Sequence, residues 1–286
     1  MPRERAKELA AFLRARRDEL RPEAVGLMVW DEPRRVPGLR REEVAELAAI
    51  STDYYSRIEQ ARIAVTPSVL AAVASALRLD DTQRHYVFGL LDQETRAARR
   101  PRTQCVQPQL RRLLDGLTAI PALVLGRYMD VLAWNQLASV LVTDFARIPQ
   151  TERNWVRLIF TDPRMREVHA DWEDVARQAV AQLRMEASAN VGSARLEALV
   201  DELAERDAAF REWWSSYQVA VEVRGTTMRH PVAGTLELES STLASTIDPD
   251  QRLVSWTARP GSRSSHRLWA LAQLPTDAPL GAPVAA

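Results

Sequence analysis

Polar side chains with defined hydrogen-bonding geometry cluster in one short segment near the front of the chain. The segment 41–60 reads REEVAELAAISTDYYSRIEQ, and its second half predicts a short helix with Ser51 as N-cap. On that helix Arg57 could donate two hydrogen bonds to O6 and N7 of guanine, and Gln60 could pair with adenine. Asp53 could accept from N4 of cytosine, or it could only favour the positive end of its helix. This chemistry would read a base sequence in the major groove of duplex DNA.

The neighbouring residues of this segment would add contacts of a less specific kind. Thr52 and Ser56 would also face the groove. Tyr54 could join them, whereas Tyr55 is expected in the core. Three arginines that flank these residues, Arg40, Arg41 and Arg62, are better placed to contact phosphates. Phosphate contacts orient a protein on DNA without reading its sequence. The complete set of predicted DNA-contacting residues is Arg40, Arg41, Ser51, Thr52, Asp53, Tyr54, Ser56, Arg57, Gln60 and Arg62.

The apolar residues of the same segment predict how it is held. They favour two short helices, 41–49 and 52–60, that cross at the small Ala45 and enclose Ile50 at the turn. The second helix then projects its N-terminal half outward, as entry into the major groove requires. Two packed helices of an ordinary α domain are the alternative interpretation. Further helices over 4–20, 67–78 and 81–93 complete a predicted all-α domain of five helices that spans residues 1–93.

The chain changes character after a basic, proline-containing segment. Residues 94–108, ETRAARRPRTQCVQP, predict a linker, residues 109–276 a second domain, and residues 277–286 a frayed tail. Strands and helices come in blocks, which favours an α+β domain with one antiparallel sheet and covering helices. The predicted strands are 122–126, 129–134, 217–224, 226–230, 234–242 and 251–258, and the predicted helices are 136–145, 151–160, 171–190, 193–216 and 262–274.

These motifs carry two resemblances. Residues 4–93 resemble the lambda-repressor-like helix-turn-helix family, although Ala49 stands where that family usually has glycine. Ala61 differs in the same way from the family that the following stretches resemble. The stretches PGLRREEVAELA (37–48), LDGLTAIPALVLGRYMDVLAWN (114–135), ERNWVRLIF (152–160), DWEDVARQAVAQLR (171–184), RHPVAG (229–234) and DPDQRLVSWTA (248–258) resemble the MmyB-like transcription regulators. The resemblance implies a PAS-like ligand-binding domain after the helix-turn-helix. It also implies a fatty-acid-like apolar ligand in that domain's pocket, and no other cofactor.

The residues themselves offer a weaker argument for a ligand. A sheet with helices over one face can leave an apolar cavity, and such a cavity suits a chain-like molecule. The apolar candidates for its lining are Val131, Trp134, Trp155, Leu158, Phe160, Trp214 and Tyr217. The candidates for binding an acyl carboxylate are Arg157, Arg229 and His230. Each of them could instead be an ordinary structural residue, and His230, which precedes Pro231, could serve a turn.

Composition and charge exclude several classes of protein. Lysine plus arginine equals aspartate plus glutamate at 38 each, but residues 1–112 carry a net charge of +5 and residues 113–286 one of −5. The basic front favours a nucleic-acid partner. The single cysteine, Cys105, excludes a disulfide framework and fits a reducing cytoplasm. The first residues lack the apolar stretch of a secretory signal, and the longest apolar run, 120–126, is far shorter than the ~20 residues of a membrane span.

No catalytic motif accompanies these features. The four histidines have no metal-ligand spacing, and the chain has neither a G-x-S-x-G nucleophile motif nor a phosphate-binding glycine loop. The sequence therefore predicts a cytoplasmic, non-enzymatic transcription regulator. It is expected to be a homodimer that binds a double-stranded DNA operator and a small apolar ligand, and no membrane. In the alternative, the second domain only dimerises or docks a protein.

Overall fold

The chain folds into two compact units. The computed structural model describes residues 3–27, 37–91, 104–189, 193–219 and 225–273. The first unit contains the described residues within 1–100, 184–201 and 211–220, and the second those within 101–183, 202–210 and 221–286. Segments from the second half of the chain therefore belong to the same unit as its front.

The front of the first unit is helical, as the sequence predicts. Its helices are α1 (Arg3–Glu19), α2 (Arg41–Leu47), α3 (Thr52–Glu59), α4 (Pro67–Ala76) and α5 (Asp81–Leu91). Each of them occupies one of the five predicted helical segments. The core contains the fully buried Phe12, Tyr55 and Tyr86, and the rings of Phe12 and Tyr86 lie 4.9 Å apart. The expected core position of Tyr55 is confirmed.

The turn between α2 and α3 forms without glycine. Oγ of Ser51 accepts a hydrogen bond from the backbone N–H of Tyr54 at 3.1 Å, so Ser51 is the N-cap of α3, as predicted. Ala49 in this turn and Ala61 after α3 both have φ of +54°. In this left-handed region a Cβ crowds the following carbonyl oxygen, which costs an alanine about 1 kcal/mol. The chain accepts this strain at both positions.

A close backbone approach joins the start of the helix pair to α1. The backbone N–H of Leu39 donates to the carbonyl oxygen of Arg17 at 2.9 Å. A Cβ on Gly38 would overlap the carbonyl oxygens of Arg17 and Asp18. Glycine is therefore required at position 38, because any side chain would push this segment away from the end of α1.

The second unit is built on an antiparallel sheet in the order β2-β1-β5-β4-β3. The strands are β1 (Ala122–Leu125), β2 (Val131–Trp134), β3 (Thr226–His230), β4 (Gly234–Ala244) and β5 (Arg252–Thr257). The helices in the second half of the chain are α6 (Pro108–Gly116), α7 (Gln136–Leu141), α8 (Trp155–Thr161), α9 (Pro163–Val168), α10 (Trp172–Ala189), α11 (Ala194–Arg206), α12 (Ala208–Ser215) and α13 (Arg263–Ala272). The predicted α+β class with an antiparallel sheet is confirmed.

Asn135 fixes the passage from β2 into α7. Its Oδ1 accepts hydrogen bonds from the backbone N–H groups of Ala138 at 2.9 Å and Ala122 at 3.1 Å. Its Nδ2 donates to the carbonyl oxygens of Leu117 and Ile120 at 2.6 and 2.7 Å. One amide side chain thus caps the helix and ties it to the strand before it.

The structure differs from the predicted elements in a few places. The predicted helix 193–216 is two helices, because Oδ1 of Asp207 accepts from the backbone N–H of Phe210 and starts α12 anew. Helix α9 lies in a segment with no predicted element, and it begins at Pro163 after the capping residue Asp162. Residues 217–219 are irregular rather than a strand, and 220–224 lie outside the described residues. The predicted linker is described only from 104, and α6 begins at its last residue; the tail 277–286 is not described.

Candidate nucleic-acid interface and ligand cavity

The outer face of α3 presents most of the predicted DNA-contacting side chains to solvent. Thr52, Asp53, Arg57 and Gln60 are exposed, as is Ser51 at the cap. Tyr54 and Ser56 are half-buried, because they lie nearer to the packed side of the helix. Short polar groups on an exposed helix end are what base recognition in the major groove needs.

Arg57 is paired within its own helix. Its Nη2 lies 2.8 Å from Oδ2 of Asp53, one turn earlier, and the two side chains are 55% and 71% exposed. Such solvent-exposed ion pairs are worth roughly 0–1 kcal/mol. Arg57 can therefore leave Asp53 and bind the edge of a base at a small cost in free energy. Asp53 then acts on Arg57 in the free protein, a role that the sequence interpretation did not consider.

A buried carboxylate anchors the packed side of α3. Glu59 is 1% exposed; its Oε1 lies 2.6 Å from Nε of Arg17, and its Oε2 lies 2.7 Å from Nε of Arg41. Burial acts to raise the pKa of Glu59, but the hydrogen bonds from the two arginines outweigh it and hold the pKa below its usual value. Nη1 of Arg17 also donates to the carbonyl oxygen of Leu39 at 2.8 Å. This network joins α1, the start of α2 and the end of α3.

The network changes the interpretation of the three flanking arginines. Arg41 was expected to contact a phosphate. Its Nε instead pairs with Glu59, and its side chain remains 45% exposed. Arg40 is half-buried, and its backbone N–H donates to Oε2 of Glu43 at 2.6 Å. Arg62 is exposed. A phosphate contact by each of them stays a prediction.

A second charged cluster in the first unit involves residues that the sequence placed in the ligand pocket. Arg184 of α10 is 2% exposed, and its Nη1 donates to Oε1 of Glu8 at 2.7 Å. Its guanidinium stacks on the rings of Trp214 and Tyr217, 3.9 and 4.1 Å from their centroids, and donates to the carbonyl oxygen of Trp214. Trp214 and Tyr217 do not line the cavity described next, because both rings cover Arg184 in the first unit.

The second unit contains a cavity of about 350 Å³ between one face of the sheet and α10. Its volume is near the lower limit of the roughly 300–1,000 Å³ typical of small-molecule sites. The lining residues are Leu123, Leu125, Met129, Trp155, His169, Val175, Gln178, Ala179, Gln182, Thr226, Ser240, Thr242, Ala244, Arg252, Val254 and Trp256. Its surface is mostly apolar, with polar groups at a few places.

The two ends of this cavity differ. At one end Arg252 is opposite Ala244 in the ladder between β5 and β4, and Thr242 and Ala244 are exposed. At the other end Trp155, His169 and Thr226 are buried. Hereafter these are called the open end and the closed end. The open end carries a cation near solvent, and the closed end carries neutral polar groups among aromatic rings.

His169 is the most deeply buried polar residue of the lining. Burial lowers its pKa from 6.5 to about 4, so that the imidazole is neutral at pH 7. Its Nδ1 lies 3.4 Å from Oγ1 of Thr226, and its Nε2 has no hydrogen-bond partner among the described residues. The sequence interpretation did not select His169, because no motif accompanies it.

Of the ten predicted ligand-binding residues, Trp155 alone lines this cavity. Val131 and Leu158 are buried in the core, and Phe160 packs against Trp172 and Phe210. Trp134 lines a different, more polar recess beside Arg153, whose guanidinium lies over the Trp134 ring, and this ring also contacts Phe145 at a tilt of 40°. Large apolar side chains fill cores more often than they line cavities, and a ligand contact by these residues stays a prediction.

The three residues predicted to bind the carboxylate of a ligand also lie outside this cavity. Arg157 forms ion pairs with Glu152 and Glu202 at 2.8 and 2.9 Å. Arg229 is exposed on β3. His230 is a turn residue: its Nε2 lies 3.1 Å from the carbonyl oxygen of Val140, and its Nδ1 accepts from two backbone N–H groups of the following turn. The structural alternative considered for His230 describes it correctly.

A signal for the cavity was present in β4. Alternate residues of a strand share one face, and on the inward face Leu236 and Leu238 are followed by Ser240 and Thr242. A change from buried leucine to small hydroxyl side chains, of which Ser240 is half-buried and Thr242 exposed, indicates that the core gives way to a partly polar, open space. Arg252 is opposite Ala244 at the end of this strand, so the same reasoning could have selected it.

Two protein-family models match the chain. The model described as MmyB-like transcription regulator ligand binding domain matches residues 106–272, more than half of the sequence. The model described as helix-turn-helix domain matches residues 8–87, which include α2 and α3. A search of curated proteins found no match. Within the described ranges, no helix is long and apolar enough to cross a membrane.

Proposed function

Because the chain belongs to the MmyB-like transcription regulators, we propose that it binds a duplex DNA operator through α3 and responds to a fatty-acid-like amphiphile in the cavity. One observation carries the proposal: a single chain combines an exposed polar face on the second helix of a helix-turn-helix with a mostly apolar cavity that is cationic at its open end. Its location in the cytoplasm and its lack of enzymatic activity stay predictions.

The DNA half of the proposal assigns the reading of bases to α3. Arg57 leaves Asp53 and donates to a guanine, while Gln60 contacts an adenine and Arg62 a phosphate. A homodimer would bind two half-sites about one helical turn, ~34 Å, apart. The Glu59 network supports this role, because it anchors the packed side of α3, while Thr52, Arg57 and Gln60 lie on its exposed side.

The ligand half assigns the carboxylate of the amphiphile to the open end of the cavity. Arg252 brings a guanidinium there, and a carboxylate that remains near solvent avoids most of the cost of burying a charge. The chain of the ligand would lie along Leu123, Val254 and Val175. Arg252 thus replaces the donors that the sequence suggested.

The coupling of the two halves is assigned to α10. Its residues Val175, Gln178, Ala179 and Gln182 line the cavity in the second unit, and Arg184, later in the same helix, belongs to the first unit, where it bonds Glu8. A ligand changes DNA affinity only if it prefers one of two arrangements, and a tenfold change corresponds to ~1.4 kcal/mol of preference. The sequence also suggests the basic segment 96–112 as a relay, and the structure describes this segment from residue 104 onward.

The experiment measures operator affinity with and without a fatty acid. An operator is selected from random duplex DNA with the full-length protein, and fluorescence anisotropy then follows binding at fixed salt with decanoic, dodecanoic or hexadecanoic acid. We expect at least one acid to change the dissociation constant about tenfold or more. Arg252→Met should abolish the response, and Arg229→Met, which removes an exposed arginine outside the cavity, should retain it.

Two outcomes would contradict parts of this proposal. Failure to select any operator would overturn the DNA half. Selection of an operator whose binding no acid alters, together with native mass spectra that show no acyl-chain adduct, would instead support the alternative in which the second domain only dimerises or docks a protein.

A further inference from the structure

The closed end of the cavity contains an imidazole whose position packing alone does not explain. His169 is 1% exposed, and its ring lies edge-on to Trp155 with centroids 6.4 Å apart. Nδ1 makes one long contact with Thr226, and Nε2 has no partner among the described residues. Buried polar atoms are nearly always paired, because an unpaired atom has lost its hydrogen bonds to water. His169 therefore offers a hydrogen-bonding atom that the described protein does not use.

His230 shows what a purely structural histidine looks like in the same unit. It is 4% exposed, so it is buried to a similar degree. Both of its ring nitrogens have backbone partners, at 3.1 Å for Nε2 and at 3.1 and 3.2 Å for Nδ1. Both ring nitrogens of His230, which holds a turn, thus have hydrogen-bond partners. One ring nitrogen of His169, which borders the cavity, has none among the described residues.

The neutral state of His169 limits what it can bind. A neutral imidazole has one N–H donor and one acceptor nitrogen. A carboxylate at the closed end would be a buried charge, and the cationic residue of the lining, Arg252, belongs to the open end. A hydroxyl group suits either tautomer of His169 because it both donates and accepts. A carbonyl oxygen suits the tautomer with the proton on Nε2.

The sheet register also sets the distance between the two polar ends of the cavity. Arg252 is opposite Ala244, and Thr226 is opposite Leu238, six residues earlier in β4. At about 3.3 Å per residue, this places them roughly 20 Å apart along the strand. Leu123 and Val254 line the sheet face between them, together with the small hydroxyl side chains of Ser240 and Thr242. A simple fatty acid would bring a methyl group, which cannot form hydrogen bonds, to the closed end.

We infer that the natural ligand is a chain with polar groups at both ends: an anionic head at Arg252 and a hydroxyl or carbonyl group that hydrogen-bonds His169 and Thr226 at the closed end. This inference rests on the proposed function, because it assumes that the cavity binds an amphiphile. It makes His169 the residue that distinguishes an oxygenated chain from a plain one.

The test compares acids that differ only at the far end of the chain. Isothermal titration calorimetry measures the binding of decanoic, dodecanoic and hexadecanoic acids and of their terminal-hydroxy derivatives to the full-length protein. We expect one hydroxy acid to bind about tenfold to hundredfold more tightly than its parent, because it pairs a buried atom that the parent leaves unpaired.

Two variants show whether His169 causes the preference. His169→Phe keeps a ring and removes both nitrogens, so it should bind the parent acid as well as the wild type does and should lose the preference for the hydroxy acid. Thr226→Val should reduce the preference by a smaller factor. A circular dichroism spectrum of each variant checks its fold, and if His169→Phe does not fold, Thr226→Val and His169→Gln give the answer.

Each remaining outcome has one meaning. Equal binding of parent and hydroxy acids by the wild type would overturn this inference and leave the proposed function intact. A preference that persists in the folded variants would also overturn it, because another residue would then recognise the hydroxyl group. If no acid binds at any chain length, the ligand half of the proposed function fails together with this inference.

Discussion

Glu8 and Arg184 form a hydrogen-bonded ion pair, although they lie 176 residues apart in the chain. The carboxylate of Glu8 also accepts a hydrogen bond from the hydroxyl of the buried Tyr86 at 2.5 Å. Residues from α1, α5 and α10 thus meet at one carboxylate in the first unit. The helix-turn-helix unit is therefore completed by a segment that lies inside the stretch matched by the ligand-binding family model.

Removal of Glu8 should strongly destabilise the first unit. Glu8→Ala leaves the guanidinium of Arg184 buried without its counter-charge, which costs about 3 kcal/mol of unfolding free energy. Urea unfolding followed by circular dichroism measures the loss. Asp115→Ala is the matched control, because it breaks the exposed pair with Arg111 and should cost less than about 1 kcal/mol. Equal small losses for both variants would show that the buried pair does not hold the unit together.

Arg57 should determine the sequence preference of DNA binding. Arg57→Ala should weaken binding to the selected operator by about 1–3 kcal/mol and binding to random DNA much less, because a bidentate contact to guanine is lost. Arg62→Ala should weaken both alike and lower the slope of log affinity against log salt by about one. Anisotropy titrations over a range of salt concentrations measure both effects. If Arg57→Ala weakens both DNAs equally, Arg57 contacts phosphate and not a base.

The α2–α3 turn should be stabilised by glycine. Ala49→Gly relieves a positive φ, and we expect a gain of up to about 1 kcal/mol, reduced by the greater freedom of glycine in the unfolded chain. Ala71→Gly, within α4, is the control and should destabilise the protein by about 0.5–1 kcal/mol. Thermal unfolding distinguishes the two. A loss of stability in Ala49→Gly would mean that the turn does not strain its alanine.

His169 should make stability depend on pH in the mildly acidic range. Its pKa is about 4 in the folded state against 6.5 for an ordinary histidine. Between these two pH values, the histidine is therefore protonated in the unfolded chain and neutral in the folded protein. Its contribution is constant above pH 6.5 and is lost as the pH falls towards 4, by about 3 kcal/mol in total. Urea unfolding of wild type and His169→Gln between pH 7.5 and pH 4 measures the difference. Parallel curves for the two proteins would show that His169 titrates normally when folded.

The sequence by itself determined most of the helices and strands, although it missed α6 and α9. Ser51 could be identified as an N-cap because a cap bonds backbone groups two or three residues away, so its evidence is local. The exposed polar face of α3 followed from the same short-range pattern. Family membership also followed, since the quoted stretches lie in the right order along the chain.

Only the tertiary structure decided which side chains meet across long distances in sequence. Arg17 bonds Glu59, which lies 42 residues later in the chain. Arg184 lies over the rings of Trp214 and Tyr217, which the sequence analysis had assigned to the ligand pocket. Composition could not reveal these partners, because an aromatic ring packs equally well in a core, on an arginine or beside a ligand. The cavity was hidden for the same reason: whether a face of the sheet is filled or left open depends on what every other element places against it.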